Sequence, residues 1–344
     1  MDQRVSNRFG SLAVAALALA GAAMVPRGYA QDAVRTGGLT DVASPVEARR
    51  TAEARGLIDD ATLRGRHAAA PSRFVTVDGV SIHLRDEGSG PVLLLLNGHL
   101  GSLHMWDDWV PELVKHFRVI RIDYPPYGLS GPDPTNDYST RRAVDLVLKL
   151  ADTLGIERFH IGGTSNGAMV ALFFAVEHPT RIDKLVLSTL PAGRPPARQP
   201  SAAMLQAVKA VREQAPYQPR EFWQAFLEDI IVNDAVISPA LVERYHDLNN
   251  RVGAKAWVDA YIQTQYRVWD SLDVPAWYAR LTRPTLLQWG VDGVVLPGAV
   301  GRQVAALLVN APLTYREYPN AGHLPMIEQP AATVRDAILF LQSP

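Results

Sequence analysis

Phe159-His160-Ile161-Gly162-Gly163-Thr164-Ser165-Asn166-Gly167-Ala168-Met169-Val170 is the stretch from which the fold can be read. A short apolar run over 159–162 ends in Gly163-Thr164-Ser165-Asn166-Gly167, and a helical run over 168–176 follows. A strand turning this abruptly into a helix forces the residue at the turn into a strained backbone, and glycine two residues to either side avoids the steric conflict. The serine hydroxyl is then held out at the edge of the sheet. The spelling predicts a nucleophile elbow, with Ser165 as nucleophile and the helix beginning at Asn166.

Outward from the elbow, short branched apolar runs alternate with helix-length segments, the pattern of a mostly parallel sheet covered by helices. Arg73–Val77 and 80–85 read as an opening hairpin through Asp78-Gly79. Val92–Leu96 is continuously apolar, as expected of a strand buried on both faces. Further strands are predicted over 117–122, 159–162, 184–188, 285–289 and Leu313–Tyr318, with helices over 106–115, 140–154, 166–178, 300–308 and 331–342. The fold class is α/β, with one core over 73–190 and 285–344.

One interval, 191–284, shows no convincing strand. It opens on the Pro- and Arg-rich stretch 191–200, a linker signal, and holds 11 of the chain's 27 aromatic residues, including Trp223, Phe226, Trp257, Tyr261, Tyr266, Trp269 and Trp277. Aromatics of this kind pack small helices together. They also suit a helical cap, inserted after the sixth strand, whose underside forms an apolar pocket over the carboxyl edge of the sheet, where open α/β sheets bind ligands.

A serine at its free pKa is a poor nucleophile and needs a base within hydrogen-bond reach and a third group to orient that base. Asn320-Ala321-Gly322-His323-Leu324-Pro325 follows the last predicted strand and places His323 beyond a carboxyl end. Asp292, in Gly290-Val291-Asp292-Gly293, occupies the equivalent place one strand earlier, from which it is expected to accept the proton on the other imidazole nitrogen. The chain order Ser165, Asp292, His323 is the order this elbow takes. The oxyanion of a tetrahedral intermediate needs backbone donors. Those expected are the N–H of Asn166 and, from the loop Asn97-Gly98-His99-Leu100-Gly101-Ser102, the N–H of His99, with Leu100 as the alternative.

These residues resemble the α/β-hydrolase fold superfamily, in its broad esterase, lipase and lactonase group, from about Arg73 to Pro344. The segment Asp123-Tyr124-Pro125-Pro126-Tyr127-Gly128-Leu129-Ser130 corresponds as well. The chain departs from the family in carrying Asn97-Gly98 where His-Gly is usual, and Pro126-Tyr127 where Gly-His is common. Ser165 stands where the family's haloalkane dehalogenases and epoxide hydrolases carry an Asp, which argues against alkyl-enzyme chemistry. The resemblance implies a serine hydrolase that cleaves a carboxylic ester or lactone through an acyl-enzyme, without a cofactor, on a small, fairly apolar substrate. Carbon–carbon bond hydrolysis, perhydrolysis, hydroxynitrile lyase chemistry and a non-catalytic binding protein are the alternatives on this fold.

Composition narrows the classes further. The chain has 344 residues, 47% apolar and 20% charged, with 34 Lys+Arg against 35 Asp+Glu, enough for a large core and no basic footprint for nucleic acid or an anionic membrane surface. The absence of cysteine removes disulfides, thiolate nucleophiles and Cys-ligated metals. The histidines lack metal-ligand spacing, so no metal site is expected. Residues 1–30 read as an export signal: Arg4 and Arg8 precede an apolar run over 12–25, and Gly28-Tyr29-Ala30 offers small residues for cleavage. Fourteen apolar residues ended by Pro26 fall short of the roughly 20 that span a bilayer, so a periplasmic or secreted protein without a stable membrane span is expected. Residues 31–72, with a capping box at Ser44-Pro45-Val46-Glu47, read as a surface arm.

Overall fold

The computed structural model describes residues 56–194, 198–214 and 216–344. The expected leader and the capping box at Ser44 lie outside them. Eight strands form one sheet in the order β1-β2-β4-β3-β5-β6-β7-β8: β1 (Arg73–Val77), β2 (Val80–Gly88), β3 (Val92–Leu96), β4 (Arg118–Ile122), β5 (Phe159–Thr164), β6 (Ile182–Ser188), β7 (Thr285–Gly290) and β8 (Leu313–Tyr318). The opening hairpin pairs β1 and β2 antiparallel, and β2 runs antiparallel to β4. All later pairings, from β3–β4 to β7–β8, are parallel. Asp78 and Gly79 both take positive φ, 52° and 81°, the conformation that lets a two-residue turn match the strand twist.

Strand order decides where a site can form. The chain passes from β3 outward to β4 on one side and returns to β5 on the other, so the loops after β3 and β5 leave the sheet side by side at its carboxyl edge, where the order reverses. Leu96, the last residue of β3, is in register with Ile122 of β4 and Gly163 of β5.

Most helices fall where the apolar spacing predicts: α3 (Thr140–Thr153), α4 (Asn166–Glu177), α10 (Gly298–Leu307) and α12 (Pro330–Gln342). In α4 every residue from Gly167 to Val176 is buried, so the helix after the elbow is packed on all sides and its first turn is rigidly placed. The helix expected over 106–115 is shorter. A 3-10 turn, Leu103–Trp106, precedes α2 (Val110–Leu113), because Pro111 has no N–H to continue a helical ladder from Asp107 and instead sits in the first turn of a new helix.

Between β6 and β7 lie α5 (Ala202–Gln214), α6 (Arg220–Ile230), α7 (Pro239–Asn249), α8 (Ala254–Ser271) and α9 (Val274–Tyr278), α-helices throughout the interval expected to form a cap. The aromatics Phe222, Trp223, Phe226 and Tyr245 pack edge-on and tilted against one another at 5.1–6.0 Å. Residues 58–67 of the stretch read as a surface arm are docked rather than free. Helix α1 (Asp60–His67) buries Leu63 against Leu129 and Leu248, and Asp60 pairs with the buried Arg251, which also donates to the carbonyls of Gly128, Ser130 and Gly131. Among the described residues no helix is long and apolar enough to cross a membrane.

Candidate active site

Ser165 lies between β5 and α4 with φ 52° and ψ −119°, a strained conformation for a residue with a Cβ. Two contacts over-determine it. Its N–H donates to the Ser188 carbonyl at 2.9 Å and its own carbonyl accepts from Met169 at 3.1 Å. The flanking glycines are required by close approach: a Cβ on Gly163 would lie 2.4 Å from the Gly167 carbonyl, and one on Gly167 would lie 2.4 Å from the Asn97 carbonyl. The elbow is thus wedged against the loop after β3.

His323 reaches this serine from the loop after β8, its Nε2 3.1 Å from Ser165 Oγ. Both side chains are buried. The backbone of His323 is fixed on either side of the imidazole, its N–H donating to the Ile230 carbonyl at 2.9 Å and its carbonyl accepting from the Thr189 hydroxyl at 3.0 Å. Burial, joined by the nearby Arg198 charge, pushes the imidazole down to about 4, so near neutral pH it is the unprotonated form that faces the serine.

The third expected member does not join them. Asp292 is exposed, its carboxylate accepts the N–H of Asn320 at 2.7 Å, and its N–H donates to the Ala321 carbonyl. His323 Nδ1 is buried and has no hydrogen-bond partner among the described residues. The physical reason is the turn after β7: Gly293, not Asp292, packs against the Gly322–His323 part of the histidine loop, where a Cβ would lie 2.9–3.1 Å from Gly322 and the His323 nitrogen. Asp292 is directed instead along the rim, to the start of the same loop.

His99 and Asn166, the residues expected to supply oxyanion donors, line the same cleft as Ser165. Asn166 is the first residue of α4, and neither its N–H nor that of His99 finds an acceptor among the described residues. The loop after β3 closes as a tight turn, with Gly101 N–H donating to the Gly98 carbonyl at 3.1 Å and Leu100 at φ 60°, which leaves His99 at its corner. Asn97 explains why the usual His-Gly is dispensable here. Its buried side-chain amide donates to the carbonyls of Gly98 at 2.9 Å and Gly101 at 3.2 Å, holding the turn from beneath.

A further layer supports this loop. Asp123 accepts the N–H groups of Leu103 at 2.6 Å and Leu129 at 2.8 Å and contacts His83 Nδ1 at 2.7 Å. Burial opposes its ionisation, yet these partners hold its carboxyl below the usual range. Tyr127, in the place where Gly-His is common, hydrogen-bonds His99 Nδ1 at 2.7 Å. The roles of Asn97, Tyr127 and Glu328, described below, do not follow from motif spacing. The only sequence signals are a polar residue at the end of an apolar strand, an aromatic in a turn and an acid within an apolar stretch.

Above Ser165 opens a cleft of about 650 Å³ of empty space, partly open to solvent, walled by Tyr261, Tyr266, Trp269, Ile262 and Leu296 beside His99 and His323. Four of these come from α8, three of them aromatic, so the aromatics of the interval serve both helix packing and the pocket wall. Burial, with the neighbouring His323 charge, pushes the His99 imidazole down to about 4. Among the described residues one group, Glu243, His246 and Asp247, brings three potential metal-ligand atoms within 4.8 Å. Those atoms are already engaged by Arg220, Tyr217, His67 and Arg66.

Known proteins agree with this architecture. Residues 91–330 match the family model described as alpha/beta hydrolase fold. The chain is 28% identical over 287 residues to a 2-hydroxy-6-oxononadienedioate/2-hydroxy-6-oxononatrienedioate hydrolase of Cupriavidus pinatubonensis, covering 79% of this chain and 96% of that one. Over 125 residues it is 38% identical to a fluoroacetate dehalogenase of a Burkholderia species, a match spanning 35% of this chain and 41% of that protein. The crystal structure of the enol-lactonase from Burkholderia xenovorans superposes with a TM-score of 0.64 at 25% identity, covering 79% of this chain and all of that one. With the sheet order, the elbow and the family match in agreement, the chain belongs to the alpha/beta hydrolase fold family and is a hydrolase of that family.

Proposed function

We propose that this hydrolase is an exported serine enzyme that cleaves a carboxylic ester or lactone of a small, apolar substrate through an acyl-enzyme. The observation that carries the reading is the 3.1 Å contact between Ser165 Oγ and the buried imidazole of His323 at the floor of an aromatic cleft.

Ser165 Oγ attacks the substrate carbonyl carbon while its proton passes to His323 Nε2. The developing oxyanion is received by the N–H groups of His99 and Asn166. Collapse breaks the acyl–oxygen bond, and the Nε2 proton goes to the departing alcohol oxygen, which in a lactone stays tethered to the acyl group. Water then adds to the acyl-enzyme with His323 again taking the proton, and Ser165 is released. Asp292 takes no part in proton transfer in this scheme.

The cleft walls support an uncharged substrate. Among the described residues that line it none is Lys, Arg, Asp or Glu, and the nearby Arg198 and Arg194 are already paired with Asp229 and Asp270, so a substrate carboxylate would have to compete for its countercharge and desolvating it would be costly. This favours the ester or lactone reading over hydrolysis of a carboxylate-bearing, carbon–carbon-bonded substrate of the kind the Cupriavidus relative's name describes. Export rests on the character of residues 1–30. N-terminal sequencing of protein recovered from outside the cytoplasm should read from Gln31.

A fluorophosphonate probe should label the mature protein at Ser165, and nitrophenyl esters of increasing chain length should be hydrolysed by the wild type. Failure to label, under conditions that label a control esterase, would overturn the proposal.

A further inference from the structure

Glu328 closes α11 (Pro325–Glu328) and is buried at 4% exposure. Its two carboxylate oxygens collect four backbone donors. One oxygen accepts from Gly322 at 2.8 Å and Leu324 at 3.3 Å, the residues immediately before and after His323. The other accepts from Val232 at 2.8 Å and Asn233 at 3.1 Å, in the segment that leaves α6. The same segment receives the N–H of His323 on the Ile230 carbonyl. One carboxylate therefore clamps the peptide on both sides of the base and ties it to the cap.

This clamp stands where orientation of the imidazole is otherwise unassigned, because Nδ1 has no protein partner among the described residues and Asp292 is held by Asn320. We propose that Glu328 is the positioning residue of the catalytic base, setting the direction of the His323 imidazole through the backbone at Gly322 and Leu324 rather than through a hydrogen bond to Nδ1. The inference rests on the reading of Ser165 and His323 as nucleophile and base. A carboxylate with four N–H donors suits the task because ionised Asp or Glu is acceptor-only, with about four lone-pair sites to fill. Glutamine cannot replace it, since its NH₂ would be driven against two of those donors. Asp292 adds a second, weaker hold on the same loop, at Asn320.

The test compares Glu328→Gln and Asp292→Asn with the wild type, reading kcat and KM on a nitrophenyl ester and the rate of fluorophosphonate labelling, at a temperature where circular dichroism shows each variant folded. Misplacement of a reacting group by about 1 Å costs on the order of 10²-fold. Glu328→Gln should therefore lose about 10²-fold in kcat and in labelling rate with KM within about threefold. In Asp292→Asn the amide oxygen still accepts from Asn320, and the loss should stay under about tenfold. A Glu328→Gln rate within about threefold of the wild type would overturn the proposal, as would an Asp292→Asn loss as large as that of Ser165→Ala.

If Glu328→Gln fails to fold, proton NMR of the wild type decides. The far-downfield imidazole proton that a carboxylate–histidine hydrogen bond produces should be absent, and its presence would overturn the proposal. Lack of any wild-type labelling at Ser165 would instead remove the serine hydrolase reading on which the inference stands.

Discussion

Acidification is the perturbation that most directly reads the environment of the base. An imidazole free in water has a pKa near 6.5, whereas burial and then Arg198 push that of His323 down to about 4. The base is active only when unprotonated. At about pH 5.5 a base with a pKa of about 4 is roughly 97% neutral, and one at 6.5 only roughly 9%, so the two cases differ by about tenfold in acylation rate. We therefore expect kcat/KM for a nitrophenyl ester, and the fluorophosphonate labelling rate, to be nearly flat from about pH 8 to 5.5 and to fall only toward pH 4. Arg198→Met, which removes the second cause, should move the midpoint upward.

The same shift bears on stability with a definite sign. Between about pH 6.5 and 4 the unfolded chain holds a proton on this histidine that the folded chain does not, so stability falls as pH falls through that window and is fully present above it. The contribution of His323 alone is on the order of 3 kcal/mol. Melting temperatures at about pH 7.5 and 5 should show the loss and separate it from the kinetic midpoint. A kinetic midpoint at 6.5 or above would refute the reasoning, because it would mean that the imidazole is hydrated or faces a carboxylate.

Other substitutions test the remaining parts of the site and its scaffold. Ser165→Ala should lose about three decades or more in kcat, since nucleophile and base act as a unit, and mass spectrometry of the labelled wild type should find the probe on that serine. Asn97→Ala removes both side-chain donors that pin the turn at Gly98 and Gly101. It should lower kcat by up to about 10²-fold, approaching the effect of losing one oxyanion donor, with little change in melting temperature. Leu63→Ala leaves a cavity where α1 meets Leu129 and Leu248 and should cost about 2–5 kcal/mol in denaturant unfolding with the activity of the folded fraction retained. Trp269→Ala, in the cleft wall, should shift the ester-length optimum toward longer acyl chains in a substrate series.

Local grammar made much of this protein legible. The hairpin at Asp78-Gly79, the all-apolar β3, the elbow around Ser165 and the last strand Leu313–Tyr318 each depend on steric or burial rules that act within a few residues, and each forms where those rules put it. The pairing of Ser165 with His323 was readable for a related reason: loops that follow parallel strands must emerge at one edge. The helix expected over 106–115 starts later in the structure, because Pro111 sets a new start that apolar spacing does not register.

Asp292 marks where such reasoning stops. Its place after β7 follows from strand order, but whether its side chain or the backbone of Gly293 faces His323 depends on one step of the turn, and that step is decided by packing against Gly322. Glu328 and Tyr127 were likewise silent, because Val232, Asn233 and His99 reach them from separate segments brought together only by the folded sheet and the helices over it; Asn97 bonds within its own loop, but no motif spacing marks it. The sequence by itself determined the sheet, the helical interval between β6 and β7, and the meeting of Ser165 with His323. Only the tertiary structure decided which groups hold His323 and the loop after β3, since a hydrogen bond between distant segments is set by geometry of a few tenths of an ångström that no local pattern encodes.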